Sequence, residues 1–217
     1  MAGYRRPGIA SVTPLDAGGH PIPYGDRWGQ DGPPEESYSR TSNLDRFAPP
    51  HTVADALIAW LADEFVVTVT RDARLGADLM RARDDIVDAV RIVPDAQDAA
   101  SLTVVFTSFP SVIVHAGVLH DFLFPVCGCD ACDETWDRRA DELEWTVRTV
   151  ASGGYSEWIR HDRELGAGFR LDEPGVGGRS GEGRVVDISL ERLSAAEPKL
   201  AALAGAWRAW PRRATDG

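Results

Sequence analysis

An α+β domain is the fold this sequence predicts: a mainly antiparallel sheet with helices packed on one side and an extended N-terminal arm. Three observations carry that reading. Two segments, 52–63 and 133–151, repeat their apolar residues at helical spacing. Between them lie β-branched, alternating runs joined by short links, which suits neighbouring antiparallel strands. Residues 1–50, by contrast, are rich in proline and glycine and hold neither period.

In chain order, residues 1–50 read as an arm packed on the domain, too long for an ordinary loop and too aromatic for a typical disordered tail. Tyr24, Trp28, Tyr38 and Phe47 are its expected anchors, and Tyr24–Trp28 offers a ligand surface if a pocket forms there. A single α+β domain is expected over 51–211, with 212–217 frayed. Its first helix should start at an N-cap, Thr52, after Pro49 and Pro50, with Val53, Leu57, Trp60 and Leu61 on one face. Strands are expected at Phe65–Thr70, Ile86–Val93, Leu102–Thr107 and Val112–His115, the last two as a hairpin, and a short helix at Asp72–Met80. Trp136, Ala140, Leu143, Val147 and Val150 mark the inner face of the long helix, which Gly153 and Gly154 stop. Short strands at Gly168–Leu171 and Arg184–Ser189 should flank a mobile glycine-rich hairpin tip. A last helix starts near Ser194 or Glu197, lines up Leu200, Leu203, Trp207 and Trp210, and ends at Pro211.

Composition excludes several functions. The net charge is −11, which disfavours non-specific binding to nucleic acid or anionic membranes. It leaves room for a protein partner without identifying one. No apolar run reaches membrane-spanning length, and Met1–Pro7 lacks the apolar core of a signal peptide. An odd cysteine count without an export signal fits a reducing cytoplasm. Lys199 is the only lysine, and the abundance of Arg, Ala, Gly and Asp fits a GC-rich genome.

The chemistry concentrates in His115–Glu134. All three cysteines lie there, as Cys127-Gly-Cys129-Asp-Ala-Cys132, with His115 and His120 just upstream. Thiolate and imidazole are the ligands zinc prefers in a tetrahedral shell. The cysteines supply three ligands. His120, then His115, then a nearby carboxylate are the candidates for the fourth. Gly128 offers the positive φ a sharp turn can need, and a helix starting after Cys132 would favour a thiolate. Three other readings fit less well, the first of them three reduced thiols packed in a turn with no metal, for which the polar Gly, Asp and Glu neighbours are a poor burial context. A redox Cys-x-x-Cys belongs in a thioredoxin-like βαβ setting, absent here. A zinc deaminase needs a His-x-Glu that neither histidine provides.

Several segments together resemble an uncharacterised actinobacterial family of unknown function. They are Tyr38-Ser-Arg with Arg46-Phe-Ala-Pro, His51-Thr-Val-Ala-Asp-Ala-Leu, Phe106-Thr-Ser-Phe-Pro, and Phe124-Pro-Val-Cys-Gly-Cys-Asp-Ala-Cys-Asp-Glu134. The resemblance covers about residues 24–160 and implies a bacterial, cytoplasmic protein. It carries over no catalytic residue. The sequence therefore leads to structural zinc in an interaction or accessory domain. The alternatives are a zinc-dependent hydrolase with water as the fourth ligand, and a small-molecule binder using the arm aromatics.

Overall fold

The computed structural model describes residues 3–10, 13–161, 165–184, 188–203 and 205–214. Its framework is a five-stranded antiparallel meander in chain order: β1 (Val67–Arg71), β2 (Ile86–Pro94), β3 (Leu102–Thr107), β4 (Val112–Ala116) and β5 (His120–Phe124). Alternation sorts the side chains. Leu102, Val104 and Phe106 of β3, Val112 and Val114 of β4, and Phe122 and Phe124 of β5 face the main core. Helices α1 (Pro49–Glu64) and α2 (Trp136–Ala151) cover that face with Val53, Leu57, Trp60 and Leu61, and with Leu143, Val147 and Val150. A smaller apolar cluster, Leu79, Ala89, Val105 and Ile113, sits on the opposite face.

A second sheet of three antiparallel strands follows: β6 (Tyr155–His161), β7 (Leu165–Glu173) and β8 (Gly177–Arg184). It joins the main core through Tyr155, Phe169 and Leu171. Helix α3 (Leu190–Ala202) is the exception to helices on one side. Its Arg192 donates to the carbonyls of Ala77 and Leu79, next to the smaller cluster.

The hairpin of β3 and β4 and the inner faces of α1 and α2 follow the sequence pattern. Other elements depart from it for physical reasons. Pro49 and Pro50 do not delay α1; they occupy its first turn, after Ala48, where a missing N–H costs nothing. The first strand begins at Val67, because Phe65 turns inward and forms a bridge with Arg212. The segment after it is a 3-10 helix, Ala73–Asp78, capped by the Asp72 side chain on the Arg74 N–H. Helix α2 starts at Trp136, because Asp133 takes a left-handed conformation, φ 51°, and interrupts the turn before it.

Only residues 174–176 of the glycine-rich stretch form the hairpin tip; from Gly177 it is strand β8 itself, paired along its length with β7. Glycine has a packing use in this sheet. Gly168 is the cross-strand partner of Trp158 and Gly181 of Phe169, and each glycine has the facing ring laid over it. Of the strand expected at Arg184–Ser189, residues 185–187 lie outside the described residues, and Arg184 ends β8. Ser189 caps α3, which therefore starts a turn before Ser194 and keeps Pro198 inside it. That helix ends at Ala202. Trp207 and Trp210 are buried from an extended segment, with Trp210 Nε1 donating to the Ala100 carbonyl at 2.8 Å. Nor does the chain fray directly after Pro211: Arg213 N donates to Glu64 O at 3.0 Å, and Arg212 pairs with the Glu64 carboxylate.

Candidate metal centre

Strand β5 leads into the cysteine loop through a cis Phe124–Pro125 bond. The ligand atoms of Cys127, Cys129 and Cys132 all lie within 4.8 Å of one another. Sγ of Cys129 is 3.3 Å from that of Cys127 and 3.5 Å from that of Cys132. Zinc–sulfur bonds of ~2.3 Å in a tetrahedral shell place sulfurs roughly 3.8 Å apart, so the trio matches that donor set closely. Cys127 and Cys129 are half-buried and Cys132 is exposed.

Burial and the crowding of the three sulfurs shift the Cys129 and Cys132 thiols in opposite directions. Burial and the two neighbouring sulfurs push the Cys132 thiol up to about 12. At Cys129, burial acts upward too, but hydrogen bonds from Cys127 and from the N–H groups of Cys132 and Ala131 outweigh it and lower the pKa. A second and third thiolate in one cluster repel each other, and a divalent cation relieves that repulsion.

The loop is fixed by the arm. Arg27 donates from its backbone N–H and Nε to the Asp133 carboxylate and from Nη2 to the Asp130 carbonyl. Trp28 Nε1 approaches the same carbonyl at 3.3 Å. The Asp130 carboxylate accepts from Ser42 N at 2.9 Å and Ser42 Oγ at 2.7 Å, while Asp130 N donates to the Arg40 carbonyl. Arg46, only 6% exposed, reaches the Gly128 carbonyl at 3.1 Å. Its guanidinium lies 4.4 Å from the Tyr24 ring centre and 4.1 Å from that of Phe47; Arg27 lies 4.1 Å from Tyr24 and 4.8 Å from Trp28. Tyr24, Trp28 and Phe47, expected as anchors or as a ligand surface, are thus engaged by the arginines that hold the loop, whereas Tyr38, also expected as an anchor, is exposed.

Gly128 is needed for space rather than for φ. It does not use a positive φ, and a Cβ built on it would collide with the Phe109 ring. Phe109 in turn stacks near Phe47, with ring centres 6.2 Å apart. Nor does a helix N-terminus face the thiols. The cysteines belong to a loop and a separate 3-10 turn, Asp130–Cys132, and α2 begins four residues after Cys132.

The histidines lie elsewhere. His115 and His120 sit on opposite faces of the sheet, as the alternation of β4 and β5 requires, and neither belongs to the sulfur group. His115 Nδ1 is 2.7 Å from Asp121 Oδ1, its neighbour across the strands. His120 Nδ1 is 3.5 Å from Glu157 Oε2, and its ring packs edge-on against Phe169. Among the described residues no carboxylate completes the sulfur group either. Glu134 is drawn instead to Arg139 at 3.5 Å, and burial raises its pKa.

Sequence reasoning missed the residues that organise both regions. Arg27, Ser42 and Arg46 act through a loop roughly a hundred positions away, which no local pattern announces. Glu157, 5% exposed, accepts from Val118 N and Leu119 N at 2.9 Å and from Trp207 Nε1 at 3.0 Å, and Tyr155 OH lies 3.2 Å away. Its one sequence signal was an acidic residue between two aromatics, Tyr155 and Trp158, in a β-patterned run.

No curated protein and no solved structure matches this chain. The family of unknown function DUF6226 matches residues 11–214, nearly the whole length, and the chain belongs to that family.

Proposed function

We propose that this is a cytoplasmic bacterial domain that binds one zinc ion through Cys127, Cys129 and Cys132, and that the metal is structural. The carrying observation is the convergence of three sulfurs on a loop whose backbone is already clamped by Arg27, Ser42 and Arg46. Zinc would neutralise the thiolates and tie Cys127, at the end of β5, to the turn that precedes α2. The arm, the sheet and the long helix would then share one anchor. In this reading the domain serves as an interaction or accessory module for a protein partner.

A second reading has one observation in its favour. Among the described residues no protein group supplies a fourth ligand, and Cys132 is exposed, which leaves a coordination position for water. A zinc-bound water is the nucleophile of metallohydrolases. Three thiolates weaken the Lewis acidity of such a metal, however, and among the described residues no imidazole or carboxylate joins the sulfur group to act as a base, so the structural reading is preferred.

Metal analysis of protein purified without chelators, followed by thermal melting before and after zinc removal, tests the proposal. One zinc per chain, with a fall in melting temperature on removal, is expected. Zinc bound with no effect on melting would move the assignment to the hydrolase. Failure to bind zinc even on addition would end both.

A further inference from the structure

The face of the sheet away from the main core carries a row of polar residues. Arg91, Thr103, His115 and Asp121 are successive cross-strand partners on β2, β3, β4 and β5. Asp78 locks one end of the row. It accepts Arg91 Nε at 2.8 Å, Arg91 Nη2 at 2.5 Å and Thr103 Oγ1 at 2.6 Å. Asp121 locks the other, holding His115 Nδ1 at 2.7 Å through one oxygen and accepting Met80 N at 2.8 Å through the other. Among the described residues the second ring nitrogen of His115, Nε2, has no hydrogen-bond partner, and His115 is one of the residues lining a cleft of about 280 Å³ under α3.

That cleft is locally cationic on an acidic chain. Arg91, Arg192 and Lys199 stand there against Asp78 and the His115-bound Asp121. Among the described residues the Arg192 guanidinium bonds only to the carbonyls of Ala77 and Leu79 and to the Met80 sulfur, none of which cancels its charge. Lys199 has no hydrogen bond or ion pair among the described residues. Through Ser101, Gly117, Val118 and Lys199 the cleft abuts a second cavity of about 690 Å³, lined by apolar groups including Pro94, Leu203 and Trp207. Asp98, which also lines that cavity, pairs with Arg208 at 3.4 Å. Glu157 fixes both the 117–119 turn and the Trp207 indole from behind.

We propose that this paired cleft binds an amphipathic organic anion, with its oxyanion head at His115, Arg192 and Lys199 and its apolar body against Leu203 and Trp207. Charged donors converging beside an apolar wall are what such a ligand requires. Both carboxylate and phosphate heads share this chemistry. The cysteines take no part, so the proposal stands or falls independently of the zinc reading.

Titration of the full-length protein with octanoate, octyl phosphate, acetate and octanamide, followed by calorimetry and by NMR of the His115 imidazole, tests it. At least one of the two eight-carbon anions should bind and move the His115 signals, and which one binds assigns the head as carboxylate or phosphate. The neutral octanamide and the short acetate should each bind about tenfold more weakly or worse, as expected for loss of a charge-assisted contact or of apolar burial. Lys199→Gln, at an exposed position that leaves the fold intact, should weaken the anion about tenfold. Ala202→Trp should abolish the advantage of octanoate over acetate by filling the apolar cavity. The proposal is overturned if neither long-chain anion moves His115, if octanamide binds as tightly as octanoate, or if Lys199→Gln changes nothing.

Discussion

The two ends of β5 carry two polar centres built on opposite plans. At its start, Glu157 is buried and bonded on all sides to the 117–119 turn, Trp207 and Tyr155. At its end, the cysteine loop has a well-bonded backbone, but among the described residues its sulfurs hydrogen-bond only to one another and to the loop's own N–H groups. The Glu157 centre satisfies itself with what the chain supplies, as a buried polar group must. The sulfur centre instead brings three donors of one short loop within 4.8 Å of one another, the donor set the proposed zinc would take. Perturbing each end separately should therefore give different signatures.

The largest effect is expected at the cysteines. Structural zinc is worth on the order of 10 kcal/mol in domains that cannot fold without it. Here the sheet has its own core, so Cys127→Ser, Cys129→Ser or Cys132→Ser should cost less than that while reducing bound zinc to background, measured by metal analysis and melting. Next comes Glu157→Ala, which strips the acceptor from two N–H groups and an indole inside the core. It should cost ~3–5 kcal/mol in denaturant unfolding yet leave zinc stoichiometry at one. A loss of zinc in that variant would erase the distinction between the two ends.

Gly128→Ala drives a methyl group into Phe109 and should cost ~1–3 kcal/mol, with weaker zinc binding as the loop shifts. Asp78 gives a pH test away from the cysteines. Burial raises its pKa, but the Arg91 and Thr103 hydrogen bonds and the Arg91 and His115 charges outweigh that and hold it below the usual carboxylate range. A depressed folded-state pKa means stability that is present above roughly pH 4, the unfolded value, and lost as the pH falls through the lower folded value. Asp78→Asn should cost about 1–2 kcal/mol at neutral pH and flatten the acid limb of the stability profile. The smallest effect is expected from His120→Ala: about 1 kcal/mol for a long contact to Glu157, with zinc content unchanged.

That last prediction also shows where reading the sequence reached its limit. The helical faces of α1 and α2 and the β3–β4 hairpin were legible because local periodicity and burial agree there. The sulfur trio was legible because its ligand atoms come from one short loop. The histidines misled because nearness along the chain was taken as nearness in space. His120–Phe124 is an extended strand, and its length alone carries His120 about 13 Å from the residue that enters the cysteine loop. Strand β8 was hidden because glycine usually marks a turn, whereas Gly181 is there to make room for the Phe169 ring. The Arg27 and Arg46 clamp was invisible because it depends on where an aperiodic arm comes to rest.

X-ray absorption at the zinc edge of the loaded, full-length protein tests the central claim most directly. The account predicts three sulfur neighbours at ~2.3 Å and one lighter scatterer. A shell of nitrogen and oxygen alone, or zinc that washes out and leaves no ordered shell, would contradict it.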